Sequence, residues 1–111
     1  YHLMFDEQAA EILATTDLIA ERIRKTGNTA LRSIGDIVRK QTITDNNADF
    51  VSPADMLAEL RADNLALVGS LRAAKELAAA AGDNATDGML DDWTDQAEQR
   101  AWFLFETSRN A

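Results

Sequence analysis

Four side chains of types that commonly bind metal ions recur at a regular spacing near the start of the chain. His2 and Asp6 are four residues apart, and so are Asp17 and Glu21. Residues four apart lie one above the other on an α-helix, so each pair could present two ligands together. At about 100° per residue, all four side chains fall within an arc of about 100° on one helix face. Carboxylates and imidazole suit Fe(II) or Mn(II), with Zn(II) as a competitor.

The two pairs cannot bind one metal ion from within a single helix. His2 and Asp17 are fifteen positions apart, which is about 22 Å of helix rise, whereas metal–ligand bonds to nitrogen or oxygen are about 2.0–2.2 Å long. An antiparallel two-fold contact between two copies, centred near Ile12, would place the first pair of one copy opposite the second pair of the other. Small apolar residues, Ala10 and Leu13, occupy the middle of that face. The spacing therefore predicts two identical sites, each shared between two chains.

One long helix must position these residues, and the sequence predicts it from the N-terminus to about Thr26. Basic residues in its last turns complement the helix dipole, and Gly27 suits the position just after a helix end. A second stripe at spacings of three and four predicts the core seam of this helix: Phe5, Ala9, Ile12, Thr16, Ile19 and Ile23.

Three further helices are predicted after it. Periodic apolar residues indicate a short helix over residues 29–39, followed by a polar loop at residues 42–50. Ser52 as N-cap and Pro53 at the first helical position begin a second long helix, which Gly82 ends. A third long helix is predicted over residues 87–108. The expected core positions of the last two helices are Met56, Leu57, Leu60, Leu67, Val68, Leu71, Ala74 and Ala78, then Leu90, Trp93, Ala97, Ala101 and Leu104.

The pattern as a whole indicates an all-α protein with one domain over residues 1–111. Three long helices, with a short helix crossing between the first two, correspond to a four-helix bundle that lacks one member. Asn64 lies inside the predicted seam of the second long helix, where we expect a buried amide that fixes packing register. Because the chain begins at Tyr1 and not at methionine, we expect a fragment or processed form whose start interrupts a helix.

The composition of the chain limits the kinds of partner and metal site that it could have. The net charge is −8 and the sequence pI is about 4.4, which disfavours nucleic acid as a partner and favours metal cations. The chain has no cysteine, so a disulfide framework and a thiolate metal site are excluded, which fits a cytoplasmic location. No apolar run is long enough to cross a membrane.

The arrangement H-x3-D-x10-D-x3-E on one helix, ending in AER, resembles the Dps proteins, a family of mini-ferritins. The resemblance continues through AERIRKTGNTALRSIGDI and SPADMLAELRADN to the closing WFLFETSR. It implies a ferritin-like bundle without its first helix and a ferroxidase that oxidises Fe(II), preferentially with hydrogen peroxide. It also implies a homo-oligomeric cage of two-fold dimers, a dodecamer, that stores ferric mineral. The family has another histidine on a preceding helix, whereas His2 is the only histidine here.

The resemblance also implies roles for the ligands. His2 and Glu21 would bind iron directly, Asp17 would be a ligand or a bridge, and Asp6 would bind more weakly or through water. The lysine-rich tail on which DNA binding in the family depends has no counterpart here, so we expect no DNA binding by this chain. The alternative to a ferroxidase is a non-catalytic helical oligomerisation fragment with an incomplete metal site.

Two other groups of acidic residues each have two possible roles. Glu7 and Glu11 are either an ordinary charged face or a site that nucleates ferric mineral. The acidic residues around the start of the last helix either favour its dipole or, as the resemblance implies, line pores that admit iron: Asp83, Asp87, Asp91 and Asp92.

Overall fold

The computed structural model describes residues 1–109, and all regular structure in that range is helical. The helices are α1 (His2–Lys25), α2 (Ile34–Lys40), α3 (Pro53–Ala80) and α4 (Asn84–Ser108). None of the helices in the described range is long and apolar enough to cross a membrane. The chain divides into two compact units, Tyr1–Asn46 and Asn47–Ala111.

The first unit is dominated by α1, which contains neither glycine nor proline over its whole length. The helix ends where predicted, because Gly27 adopts a left-handed backbone conformation with a φ of 89°. The N–H of Asn28 donates to the carbonyl of Ile23 at 3.1 Å, and the N–H of Gly27 donates to the carbonyl of Arg24 at 3.0 Å. These two bonds satisfy carbonyls that the last turn would otherwise leave unpaired.

The most buried side of α1 is not the predicted seam. Gln8 is the one buried residue of this helix, with 9% of its surface exposed. Of the six predicted seam residues, the first and the last two are half-buried, and the other three are exposed: Ala9, Ile12 and Thr16. Gln8 lies about 60° around the helix from the centre of the predicted stripe. The prediction was wrong because it followed apolar side chains, while the most buried position carries an amide.

The short helix α2 begins later than predicted. Its N-cap is Ser33, whose hydroxyl oxygen accepts a hydrogen bond from the N–H of Asp36 at 3.1 Å. This cap satisfies an N–H of the first turn, and it fixes the start of the helix at Ile34 rather than at residue 29. None of the α2 residues is buried.

The second unit is the pair α3 and α4, and a side-chain cap begins each helix. Ser52 accepts from the N–H of Asp55 at 3.1 Å, with Pro53 next to it, as the sequence predicted. Asp83 accepts from the N–H of Thr86 at 3.1 Å, so α4 begins at Asn84, three residues before the predicted start at residue 87. Between the helices, Gly82 supplies the left-handed conformation of a tight connection, with a φ of 71°.

The core of the second unit lies between α3 and α4, where one helix contributes four buried apolar residues and the other five. They are Leu57, Val68, Leu71 and Ala78 on α3, and Leu90, Trp93, Ala97, Ala101 and Leu104 on α4. All five of the α4 residues were predicted from their spacing. The remaining predicted α3 seam residues are half-buried: Met56, Leu60, Leu67 and Ala74.

A polar pair is buried within this apolar core. Asn64, in the position expected for a buried amide, accepts a hydrogen bond from Nε of Arg100 at 2.7 Å. Its own Nδ2 donates to the carbonyl of Leu60 at 2.8 Å. Arg100 is only 3% exposed, so this bond joins the two helices around a buried positive charge. A buried polar contact of this kind specifies one register between two helices.

Candidate metal centre

The four candidate ligands lie on one exposed face of α1. Because the helix runs without interruption from His2 to Lys25, the predicted spacing of His2, Asp6, Asp17 and Glu21 along a single face is preserved. All four side chains are exposed. The centre of this ligand face is about 170° around the helix from Gln8, so the buried side of α1 and the ligand face are opposite each other.

The four side chains also lack competing partners in the chain. Within residues 1–109, none of His2, Asp6, Asp17 and Glu21 makes a hydrogen bond or an ion pair with another side chain. Their lone pairs are therefore available to an incoming cation. The nearest basic residue on the same face, Arg24, donates from Nη1 to the carbonyl of Asn28 at 3.3 Å.

The middle of the ligand face is apolar. Leu13 is 69% exposed, and Ala10, one turn earlier, is also exposed. Small side chains let two helix backbones approach closely. Covering an exposed leucine with a neighbour is favourable, because it removes apolar surface from water. This section of α1 separates the two ligand pairs and could contact another helix.

A single copy of the chain does not complete a metal site. Among residues 1–109, no three histidine, cysteine or acidic side chains come together in a group that could hold a metal ion. With the two pairs about 22 Å apart along the helix, a site that uses all four residues would need a second chain.

The acidic residues at the start of α4 have partners within the chain. Asp83 caps the helix and also accepts from the hydroxyl of Thr86 at 2.6 Å. Asp87 and Asp91 both bind the ammonium group of Lys75, and the distance from Nζ to Oδ1 of Asp91 is 2.7 Å. The hydrogen bonds to Asp87 and then to Asp91 raise the pKa of Lys75 above its ordinary value. These contacts give the acidic residues a structural role, while pore lining stays a prediction.

The two carboxylates of the other acidic pair of α1, Glu7 and Glu11, differ in their exposure. Glu7 is exposed, whereas Glu11 is half-buried and already has an interaction partner. Only Glu7 therefore presents an open carboxylate, and a role for the pair in nucleating mineral stays a prediction.

Arg100 is a buried residue that the sequence did not predict. Arginine is rarely buried unless it is paired, so residue type alone placed it on the surface. Its position could have shown otherwise, since Arg100 lies three residues after Ala97 and four before Leu104, which are both buried.

The chain matches known proteins over nearly its whole length. A family model described as a ferritin-like domain matches residues 1–110. The "DNA protection during starvation protein" of Brevibacillus brevis is 29% identical over 103 residues, which cover 93% of this chain and 68% of that protein. The X-ray structure of Dps from Thermosynechococcus elongatus is similar with a TM-score of 0.91 at 25% identity, over 96% of this chain and 67% of that chain.

The chain therefore belongs to the ferritin family, and the predicted all-α, ferritin-like fold class is confirmed. Within that family the matched relatives are Dps proteins, so the resemblance to Dps that the sequence motifs carried is confirmed as well.

Proposed function

We propose that two copies of this chain bind Fe(II) at shared sites and oxidise it to Fe(III), and that the ferric product is stored in a hollow oligomer. Membership of the ferritin family supports a role in iron storage or protection. The observation that carries the finer proposal is the exposed ligand face of α1, with four ligand-type side chains that have no partner within residues 1–109.

The numbering of the ligand face supports a two-fold contact. In an antiparallel pair of α1 helices centred between Glu11 and Ile12, each residue faces the one whose number brings the sum to about 23. His2 of one copy then faces Glu21 of the other, and Asp6 faces Asp17. The same operation places Ala10 opposite Leu13, so the apolar section of one face meets the apolar section of the other. One symmetry operation thus accounts for both the ligands and the contact between them.

The ligand set suits the oxidation of iron. Carboxylate oxygens and a neutral imidazole nitrogen are ligands that Fe(II) accepts. Three carboxylates close to the metal stabilise Fe(III) more than Fe(II), because the Coulomb attraction grows with the charge of the ion. The donor set therefore lowers the free-energy cost of removing an electron.

The oxidant we propose is hydrogen peroxide or oxygen. Each Fe(II) loses one electron, and a peroxide that receives two electrons and two protons is reduced to two waters. The reaction consumes iron and peroxide together, which would protect nucleic acid without contacting it. The name of the Brevibacillus brevis relative, a DNA protection protein, is compatible with such a role. A cytoplasmic location stays a prediction.

The alternative function is a helical oligomerisation module that binds no iron. The exposed apolar residues of α1 and α2 favour self-association under either function. The two differ in whether the acidic and imidazole side chains of the ligand face are needed for Fe(II) oxidation.

Two neighbouring carboxylates allow a matched experiment. Asp6 and Glu7 are adjacent on α1 and both exposed, yet Glu7 points about 100° away from Asp6 around the helix. The initial rate of Fe(II) oxidation, followed by the absorbance of the ferric product, should fall at least about tenfold in Asp17→Ala, and clearly in Asp6→Ala. It should stay near wild type in Glu7→Ala. Equal rates for all three variants would refute the proposed site and leave the oligomerisation module.

A further inference from the structure

One cation lies on the otherwise acidic and apolar ligand face of α1. Arg24 is eighteen residues after Asp6, which is five full turns at about 3.6 residues per turn, so the two side chains leave the helix in the same direction. The other two basic residues of α1, Arg22 and Lys25, point about 160° and about 100° away from Arg24. Arg24 is therefore the basic residue of the ligand face.

The charge of Arg24 is not neutralised within the part of the chain that the structure describes. Its side chain is exposed, and the one polar contact that this side chain makes within residues 1–109 is the 3.3 Å hydrogen bond from Nη1 to the carbonyl of Asn28. Glu21 is three residues earlier on the same face, about 4.5 Å away along the helix axis and about 60° around it. An ion held by Glu21 would therefore lie close to an unpaired positive charge.

This charge changes the balance of each shared site. The two-fold arrangement brings Asp17 and Glu21 of one copy to His2 and Asp6 of the other, so the carboxylates supply three negative charges. Arg24 supplies one positive charge beside Glu21, and the remaining double negative charge equals what one Fe(II) neutralises. After the ion loses an electron, the site as a whole is positive. The repulsion between Arg24 and the ion also increases, because it grows with the charge of the ion.

A site built from carboxylates alone would retain its product. Carboxylates hold Fe(III) more tightly than Fe(II), so the property that favours oxidation also opposes release of the ferric ion. Interactions that hold a bound species too tightly do not increase turnover. A cation at the edge of the site acts in the opposite direction, and it acts more strongly on Fe(III) than on Fe(II).

We propose that Arg24 is a specificity-determining residue of the shared site, whose charge limits the affinity for Fe(II) and speeds the release of Fe(III). This inference rests on the proposed function, because it takes the ligand face as the iron site. Arg24 needs no contact with the ion for this role, since the repulsion acts through space. With about 8 Å between the guanidinium group and the ion, the repulsion of a divalent cation in water lowers its affinity about sixfold.

The test measures the Kd of Fe(II) without oxidant, by calorimetry on the full chain, at ionic strengths of about 0.01 M and about 0.5 M. Arg24→Gln removes the charge on the ligand face. Lys25→Gln is the matched control, because Lys25 is an exposed cation of the same last turn. Both variants lose the same favourable interaction with the helix dipole. Arg24→Lys keeps the charge and separates its effect from that of the hydrogen bond to Asn28.

Arg24→Gln should bind Fe(II) at least about fourfold more tightly than wild type at the lower ionic strength, where the Debye length of about 30 Å leaves the repulsion nearly unscreened. The gain should shrink below about twofold at the higher ionic strength, and both other variants should stay within about twofold of wild type throughout. With excess iron and oxidant, the steady-state rate relative to the first-turnover rate should fall in Arg24→Gln and stay near wild type in Lys25→Gln. A damaged fold would weaken binding, so a gain in affinity separates the charge from a structural effect.

Equal Kd values for wild type and Arg24→Gln, or an equal gain in Lys25→Gln, would overturn the inference and leave the iron site standing if the wild type binds and oxidises Fe(II). Tighter binding by Arg24→Gln with an unchanged ratio of rates would refute the role in product release. A wild type that binds no Fe(II) would refute the proposed function, and this inference with it.

Discussion

Replacing Asn64 by alanine should destabilise the α3–α4 pair far more than the loss of one surface amide would. The change removes the oxygen that accepts from the buried Nε of Arg100 at 2.7 Å. A hydrogen bond to a charged group contributes about 1.5–3 kcal/mol, and the donor left behind cannot reach water, since Arg100 is 3% exposed. We therefore expect Asn64→Ala to lower the free energy of unfolding by about 2–3 kcal/mol.

This loss converts into a measurable shift in Tm. At about 2.1 cal/mol/K per residue, the 111 residues of the chain correspond to an unfolding entropy of about 0.23 kcal/mol/K. The expected drop in Tm is thus about 9–13 °C. Circular dichroism melts at one fixed protein concentration measure it, because self-association would otherwise shift the midpoint.

Asn28 provides the control for this substitution. It is an exposed asparagine that follows α1, where its Nδ2 donates to the carbonyl and hydroxyl oxygens of Thr26, so Asn28→Ala should change stability by less than about 0.5 kcal/mol. If both variants melt within a few degrees of wild type, the buried Asn64–Arg100 contact does not hold the pair together, and the argument from burial is wrong.

The charged side chains and the net charge of the chain lead to three further predictions. Lys75→Met should lower Tm at neutral pH, and the difference from wild type should narrow as the pH rises above 10.5, because the raised pKa of Lys75 stabilises the fold only while the ammonium is protonated. A constant difference up to the highest pH would contradict this. Burial, and then the negative charge of Glu59, raise the pKa of Asp63 above its ordinary 3.8, so its ionisation opposes folding. Asp63→Asn should therefore raise Tm at neutral pH, with a gain that shrinks as the pH falls towards 3.8; a lower Tm at neutral pH would count against it. With a net charge of −8, the chain should not retard duplex DNA at about 150 mM salt, and a gel shift that persists there would refute this expectation.

The spacing of apolar residues was sufficient to predict most of the fold. The α4 stripe from Leu90 to Leu104 was predicted residue by residue, because a long helix with one buried side repeats its apolar positions every three or four residues. The position of Asn64 in the α3 seam was predicted for the same reason. Ser52 with Pro53, and the glycines that follow α1 and α3, located helix ends because each supplies a specific backbone requirement.

The predictions failed where burial and polarity disagree. Gln8 and Arg100 are buried although their side chains are polar, so a search for apolar stripes passed over both. The starts of α2 and α4 were misplaced because Ser33 and Asp83 each cap a helix through a side chain, and capping residues also occur in loops.

The candidate site was predictable only in part. The spacing of His2, Asp6, Asp17 and Glu21 required one continuous exposed helix face, and α1 has that face. The sequence of one chain could not show how a second copy would lie against α1 to complete the site. That contact depends on two copies at once, so it stays a proposal.

The most direct test of the two-chain site is complementation between two inactive variants. One variant carries His2→Ala and Asp6→Ala, and the other carries Asp17→Ala and Glu21→Ala. In either homodimer both sites lose half of their ligands. In a heterodimer the undamaged halves meet in one of the two sites and the damaged halves meet in the other.

Each variant alone should oxidise little Fe(II), whereas purified heterodimers should recover up to about half of the wild-type rate per chain, and a random one-to-one mixture about a quarter. Native mass spectrometry establishes that heterodimers have formed. Recovery of activity on mixing is the predicted result. If confirmed heterodimers stay as inactive as the two homodimers, the four residues do not form a site shared between two chains.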